Sequence, residues 1–272
     1  MTPSAPHLIA TDIDGTIIRS DGTVSTRTVA ALGRVERAGA TLVLVTGRPP
    51  RWMRDIARAV AHHGLAICAN GALIYDLHTE SVVHSHLIEV EVIVQAVERL
   101  RAAVPELAFA VEYEDGFVFE PRYNLGRWDA AALGGRPVHP GGLVSGPAAK
   151  LLAFHPDAGA DSLLDKAVRL VGDLLTITHS SGVGLLEMSA LGVSKATALA
   201  ALCAERGILP AEVVAFGDMP NDLPMLRWAG TSYGVANAHA DVLAVVDHKT
   251  ASNDDDGVAQ VLERLYPERL YS

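Results

Sequence analysis

The chain has 272 residues, 49% of them hydrophobic, enough to bury one large α/β core or two modest domains without staples. Its 32 Asp and Glu against 22 Lys and Arg give a formal net charge of −10, which opposes non-specific binding to nucleic-acid backbones. Two cysteines in apolar contexts, Cys68 and Cys203, an opening stretch without a leader pattern, and no apolar run near the roughly 20 residues of a membrane span predict a soluble, cytoplasmic protein with no nucleic-acid or membrane partner.

In chain order, HLIAT, a helix over 25–38, ATLVLVT, a helix over 50–63 and LAICA alternate short β-rich runs with amphipathic helices, the pattern of βαβ units and a parallel sheet. From about 80 to 188 the pattern changes. SVVHSH, a helix over 89–103 and FAVEYEDGFVFEP follow, with Asp115-Gly116 between two alternating runs as in a two-residue hairpin. A Gly- and Pro-rich stretch, LGGRPVHPGGLVSGP, reads as a surface loop, and KLLAF, a helix over 159–172, LTITHS and GLLEMS complete an α+β module. The first alternation then returns with a helix over 193–206, VVAFG, a helix from about 220, SYGVA and a closing helix over 257–266. The expectation is an α/β protein: a doubly wound, mostly parallel, Rossmann-like core sheet from residues 1–79 and 189–272, with an α+β domain inserted at 80–188.

Ligands of an open parallel sheet bind beyond the carboxyl ends of its strands, near helix N-termini that hold anions. Four predicted strands end there in polar residues beside glycine: Asp12, Thr46-Gly47-Arg48, Asn70-Gly71 and Gly217-Asp218. Any one of these alone reads as a polar turn; four on one sheet edge read as a site. Asp12 and Asp14 are two carboxylates one residue apart in an apolar run, and buried charges cost several kcal/mol unless neutralised. A Mg²⁺ ion is the natural neutraliser, with Asp218 and Asp222 as further hard oxygen ligands. A carboxylate aimed at a bound phosphate can form an acyl phosphate, which suits Asp12 as nucleophile, with Asp14 protonating the leaving oxygen. Gly15 permits the close backbone approach of a phosphate cradle. Lys195 stands in the first turn of a helix, where it opposes the helix dipole, so an anion is expected beside it; a lone lysine otherwise reads as a solvated surface residue.

DIDGT at 12–16, TGR at 46–48, GVSKATAL at 192–199 and GDMPNDLPML at 217–226 resemble the four ordered signature motifs of the haloacid dehalogenase superfamily. The last, as G-D-x-x-N-D-x-x-M-L, resembles its Cof-type phosphatases, whose α+β cap corresponds to the inserted module. The resemblance implies Asp12 as nucleophile and Asp14 as general acid and then base. It implies Thr46 and Lys195 as holders of phosphoryl oxygens. Mg²⁺ would be bound by the Asp12 carboxylate, the Asp14 main-chain carbonyl, Asp218 and Asp222. Gly15, Gly47, Arg48, Asn70 and Asn221 are the corresponding substrate-side positions, Asn221 orienting the acidic loop or touching phosphate. The activity implied is hydrolysis of a small phosphorylated metabolite, a sugar phosphate or a phosphorylated cofactor. A phosphomutase or phosphotransferase using the same Asp12, and a non-catalytic phospho-acceptor regulator, are the alternatives.

Three other signals take simpler readings. SNDDDGVAQVLE nearly fits a Ca²⁺ loop, but Ser252 replaces the first aspartate, and acidic capping of the closing helix is expected instead. His78, His84 and His86 lack a zinc-site spacing and read as exposed strand residues. GVGLLE lacks the third glycine of a dinucleotide fingerprint. Among the module's aromatics, Tyr113, Phe117, Phe119, Tyr123 and Trp128, the Phe117/Phe119 pair is expected to pack a sheet face.

Overall fold

The structure, a computed structural model, describes residues 6–62, 64–123, 134–181 and 184–268. The chain begins with β1 (Leu8–Asp12), α1 (Thr26–Arg37), β2 (Thr41–Val45), α2 (Met53–Val60), β3 (Leu65–Cys68), β4 (Leu73–Asp76) and β5 (Ser81–Ser85). Next come α3 (Val90–Ala103), β6 (Ala108–Glu112), β7 (Phe117–Phe119), β8 (Gly135–Pro137), β9 (Lys150–Phe154), α4 (Ala160–Val171), β10 (Leu175–Thr178) and β11 (Leu185–Ala190). The last stretch holds α5 (Lys195–Glu205), β12 (Val213–Gly217), α6 (Leu223–Trp228), β13 (Thr231–Gly234), α7 (Ala240–Val245), β14 (His248–Lys249) and α8 (Gly257–Leu265). Two compact units result: Met1–Val83 with Lys195–Ser272, and His84–Ser194.

The first unit is built on an eight-stranded sheet in the order β14-β13-β12-β1-β2-β3-β4-β5. β1 pairs in parallel with β2 and with β12, in the registers Leu8↔Thr41 and Leu8↔Val213. Every residue of β1 and β12 is buried, as expected of strands covered on both faces, and this is why they read as unbroken apolar runs. Helices α1, α2 and α8 pack together as one group, and α5, α6 and α7 as another. The Ser25 hydroxyl starts α1 by accepting from the Thr28 N–H at 3.0 Å, an ordinary N-cap. SVVHSH, read from sequence as part of the module, contributes β5 to the edge of this sheet.

The acidic stretch before α8 does not cap it as expected. Asp256 occupies the N-cap position in the left-handed region (φ 60°, ψ 39°) and makes no side-chain cap bond. Its carboxylate instead accepts from Arg19, while Asp254 accepts from the N–H and hydroxyl of Ser20. Tertiary partners outcompeted the local ones.

The second unit is a six-stranded sheet in the order β10-β11-β9-β6-β7-β8, antiparallel except where β8 joins β7. Alternate residues of β6 and β9 sort its two faces, as period two requires. Phe109, Val111, Leu151 and Ala153 pack with Ile93, Ala96 and Leu100 of α3 and Leu163 and Ala167 of α4. Ala108, Ala110, Leu152 and Phe154 form a second cluster with Phe117, Phe119 and Tyr123. Phe117 and Phe119 stack at 6.0 Å and are buried, so that pair packs a sheet face; Trp128 lies outside the described residues. The Gly- and Pro-rich stretch is not wholly a loop, since Gly135–Pro137 forms the edge strand β8, the place in a sheet that tolerates proline. Among the described residues no helix is long and apolar enough to cross a membrane.

Candidate active site

From β1 the chain fills the sheet outward in one direction through β2 and β3, and in the other through β12, β13 and β14. The reversal between β1 and β12 opens a crevice at their carboxyl ends, the place where such sheets bind ligands. Asp12 ends β1, and Gly217 ends β12 immediately before Asp218.

Lys195 opens α5 and is fully buried. Its ammonium donates to Oδ1 of Asp12 at 2.6 Å and to Oδ1 of Asp222 at 2.6 Å. The anion anticipated beside this lysine is therefore a pair of carboxylates. Burial alone would lower Lys195, but Asp12 and Asp222 together hold it above its ordinary value. The second oxygen of Asp222 accepts from the backbone N–H groups of Asp218 (3.0 Å) and Met219 (3.1 Å), which fixes the turn entering α6. Gly217 lets that turn close, since a Cβ there would stand 2.6 Å from Asp222 Cβ. Asp218 accepts from the Thr16 hydroxyl at 3.3 Å.

Asp12, Asp218 and Asp222 are all buried, and each offers a carboxylate oxygen within 4.8 Å of the others. One lysine is too little for three such charges. Burial, only partly offset by Lys195, pushes Asp12 up to about 7; burial and repulsion from Asp12 and Asp222 push Asp218 up to about 9. Groups under this strain are relieved by a divalent cation, and hard oxygen donors suit Mg²⁺. The amide oxygen of Asn221 is also buried and lacks a hydrogen-bond partner. The donor set thus fits a metal ion.

Asp14 is exposed, unlike the three buried carboxylates. Its charge reaches Asp12, but its carboxylate is gripped by Arg48, Nε to Oδ2 at 2.7 Å and Nη2 to Oδ1 at 2.5 Å. Immediately after Asp14 the chain turns at Gly15, whose φ is +75°. A Cβ on Gly15 would also stand 2.3 Å from Asp218 Oδ2.

The remaining strand ends are laced together. The Thr46 hydroxyl accepts from Arg48 N–H at 3.0 Å, and the Thr46 carbonyl from Asn70 N–H at 3.0 Å. Gly47 lies between them. Ala69 and Asn70 both adopt left-handed backbone (φ 49° and 58°), and the Asn70 amide oxygen accepts from Asn221 Nδ2 at 3.0 Å. The carboxyl ends of β1, β2, β3 and β12 are thereby tied into one surface. Thr16 was not assigned a part from sequence; its place in DIDGT, three residues from a hydrogen-bonding loop, was the available signal.

Buried carboxylates, a buried lysine and a threonine at the switch point of a parallel sheet suit one task, taking up a phosphoryl group and passing it to water, and define a phosphoric monoester hydrolase. A model of the haloacid dehalogenase-like hydrolases matches residues 9–262, and the chain belongs to that family. It is 28% identical over 258 residues to the 5-amino-6-(5-phospho-D-ribitylamino)uracil phosphatase YcsE of Bacillus subtilis, covering 94% of each chain. It is 27% identical over 271 residues to the pyridoxal phosphate phosphatase YbhA of Escherichia coli, covering 94% of this chain and 97% of that one. The structure of SMU.1108c from Streptococcus mutans shares the fold, with a TM-score of 0.85 at 22% identity, covering 96% of this chain and 98% of that one.

Proposed function

We propose that the protein is a Mg²⁺-dependent phosphatase of small phosphorylated metabolites in the cytoplasm, working through an aspartyl phosphate on Asp12. The observation that carries this reading is the placement of Asp12. Lys195 engages its Oδ1, and its second oxygen is the one assigned to attack phosphorus.

In the first step the Asp12 oxygen bonds to phosphorus as the bond to the ester oxygen breaks, and Asp14 supplies the leaving oxygen with a proton. In the second, Asp14 takes a proton from water, the water oxygen bonds to phosphorus, and the bond to Asp12 breaks to release inorganic phosphate. Charge on the transferred group is dispersed over its oxygens, so fixed cations and donors supply most of the stabilisation. Lys195 and Thr46 serve there, with Gly15, Gly47, Arg48, Asn70 and Asn221 around the phosphoryl and its ester. Mg²⁺ would be held by Asp12, Asp218 and Asp222 with the Asp14 carbonyl, and would neutralise developing negative charge.

The relatives' activities on a phosphorylated ribitylaminouracil and on pyridoxal phosphate support a phosphorylated cofactor or precursor, or a sugar phosphate, as substrate. The inserted unit would select among these. The test is inorganic phosphate release over a panel of phosphorylated sugars, pyridoxal phosphate and ribityl phosphates, with Mg²⁺ and after chelation. Release that needs Mg²⁺ is expected. No release from any ester, or undiminished release without metal, overturns the reading.

A further inference from the structure

The segment after Asp12 turns on a single carbonyl. Ile13 O accepts from the N–H groups of Thr16, Ile17 and Ile18, and the carbonyls on the outside of this turn are taken by two asparagine side chains. Asn237 Nδ2 donates to Gly15 O at 2.8 Å, and Asn253 Nδ2 donates to Ile18 O at 2.8 Å, the second bond being buried. The asparagines are themselves joined, Asn253 N–H donating to Asn237 Oδ1 at 3.0 Å. Beyond them Asp254 holds Ser20 and Asp256 holds Arg19. The acidic stretch that fails to cap α8 therefore grips the end of the Asp12 turn.

The same crossbar reaches the other carboxylate loop. Two residues after Asn237, the His239 N–H donates to Asp218 O at 2.7 Å. Residues 237–239 thus touch both the turn that follows Asp12 and the loop that carries Asp218. Rotation about the Gly15 N–Cα bond would swing the preceding peptide, which bears the Asp14 carbonyl. A hydrogen bond on Gly15 O opposes that rotation.

We propose that Asn237 and Asn253 are positioning residues that lock the Asp12–Ile18 turn against the Asp218 loop and so set the affinity of the site for Mg²⁺. This rests on the metal reading of the proposed function. Small hard cations demand fixed oxygen positions, and loss of partners that orient a metal's ligands costs about 10- to 100-fold in affinity. A turn that merely anchored α8 would affect melting temperature and leave Mg²⁺ binding unchanged.

The experiment is calorimetric titration of the whole, metal-stripped protein with MgCl₂, paired with the melting temperature of the metal-free form. The variants are Asn237→Ala, exposed and so compatible with folding, and Asn253→Ser. Asp255→Asn, on the same acidic turn with its carboxylate bonded to the Ser252 hydroxyl, controls for lost charge. Asn237→Ala and Asn253→Ser should each raise the Mg²⁺ Kd about tenfold, with Asp255→Asn within about twofold of wild type. Should Asn253→Ser not fold, Asn237→Ala decides. A Kd for Asn237→Ala within twofold of wild type overturns the proposal and leaves the metal reading standing. Absence of any Mg²⁺ binding by the wild type removes both.

Discussion

Arg48 holds both carboxylate oxygens of Asp14 in a two-pronged grip, fixing an exposed carboxylate whose charge reaches Asp12. The planar fork fixes direction as well as distance, which lysine would not reproduce. If Asp14 is the proton donor to the leaving group, as proposed, the grip would govern where that donor waits. Arg48→Ala should therefore slow turnover of an alkyl phosphate by about tenfold, less than the 10²–10⁴ that proton transfer as a whole contributes because the donor itself remains, and that of p-nitrophenyl phosphate much less, because its leaving oxygen scarcely needs a proton. Steady-state rates on the two esters decide the matter. Equal losses would separate Arg48 from proton transfer.

Asp12→Asn removes the proposed nucleophile and retains the shape of the side chain. Turnover should fall below about a thousandth of wild type, with the far-UV circular dichroism unchanged. Activity near the wild-type rate would end the covalent mechanism.

Lys195→Met keeps length and loses charge, leaving Asp12 and Asp222 buried without their cation. Removing one member of a buried ion pair costs about 3–5 kcal/mol, which for a chain of this size lowers the melting temperature by about 10 °C. Calorimetric melting measures it, and Mg²⁺ should restore part of the loss. A melting temperature equal to wild type would mean that the lysine does not neutralise the cluster.

Asp12 and Asp218 stand at about 7 and about 9 in the folded protein against an ordinary 3.8. Above the ordinary value the unfolded chain has released protons that the metal-free folded protein still holds. Stability of the metal-free form should therefore fall as pH rises from about 4 towards about 9. A bound divalent cation takes the place of those protons. The rise in melting temperature on adding Mg²⁺ should be several degrees larger near pH 8.5 than near pH 5.5. Thermal scans with and without Mg²⁺ at both values test this, and a gain independent of pH would show that the cation does not compete with these protons.

Gly15→Ala places a Cβ 2.3 Å from Asp218 Oδ2 on a backbone with φ +75°. The left-handed backbone alone costs about 1–2 kcal/mol, and the displaced carboxylate should weaken Mg²⁺ binding by at least about tenfold. Titration with MgCl₂ reads the effect. Unchanged affinity would mean that Asp218 can give way freely.

The parallel strands were legible because β1, β2 and β12 are covered on both faces and so appear as short unbroken apolar runs. The meeting of Asp12, Lys195 and Asp218 follows from the same reasoning, since each stands at a strand end or a helix start on one sheet edge. What the sequence hid was decided at longer range. SVVHSH carries no pattern that says which sheet it joins, and only tertiary pairing assigns it to the edge of the first. β8 is three residues long and ends in Pro137, with no apolar pattern to announce it. The six-residue α7 is too short for periodicity to reveal. At Asp254 and Asp256 the difficulty was chemical, because aspartates that cap a helix and aspartates that grip a distant turn are the same residues in a sequence.

The pairing of β1 with β12 joins Leu8 to Val213, and it dictates an order of events on the ribosome. A nascent chain cannot close its central strands until more than two hundred residues have been synthesised, whereas His84–Ser194 is contiguous and free to fold as it emerges. The guest is finished before the host, so premature termination ahead of residue 213 yields a folded insert on an unclosed sheet, without Asp218 and without catalysis.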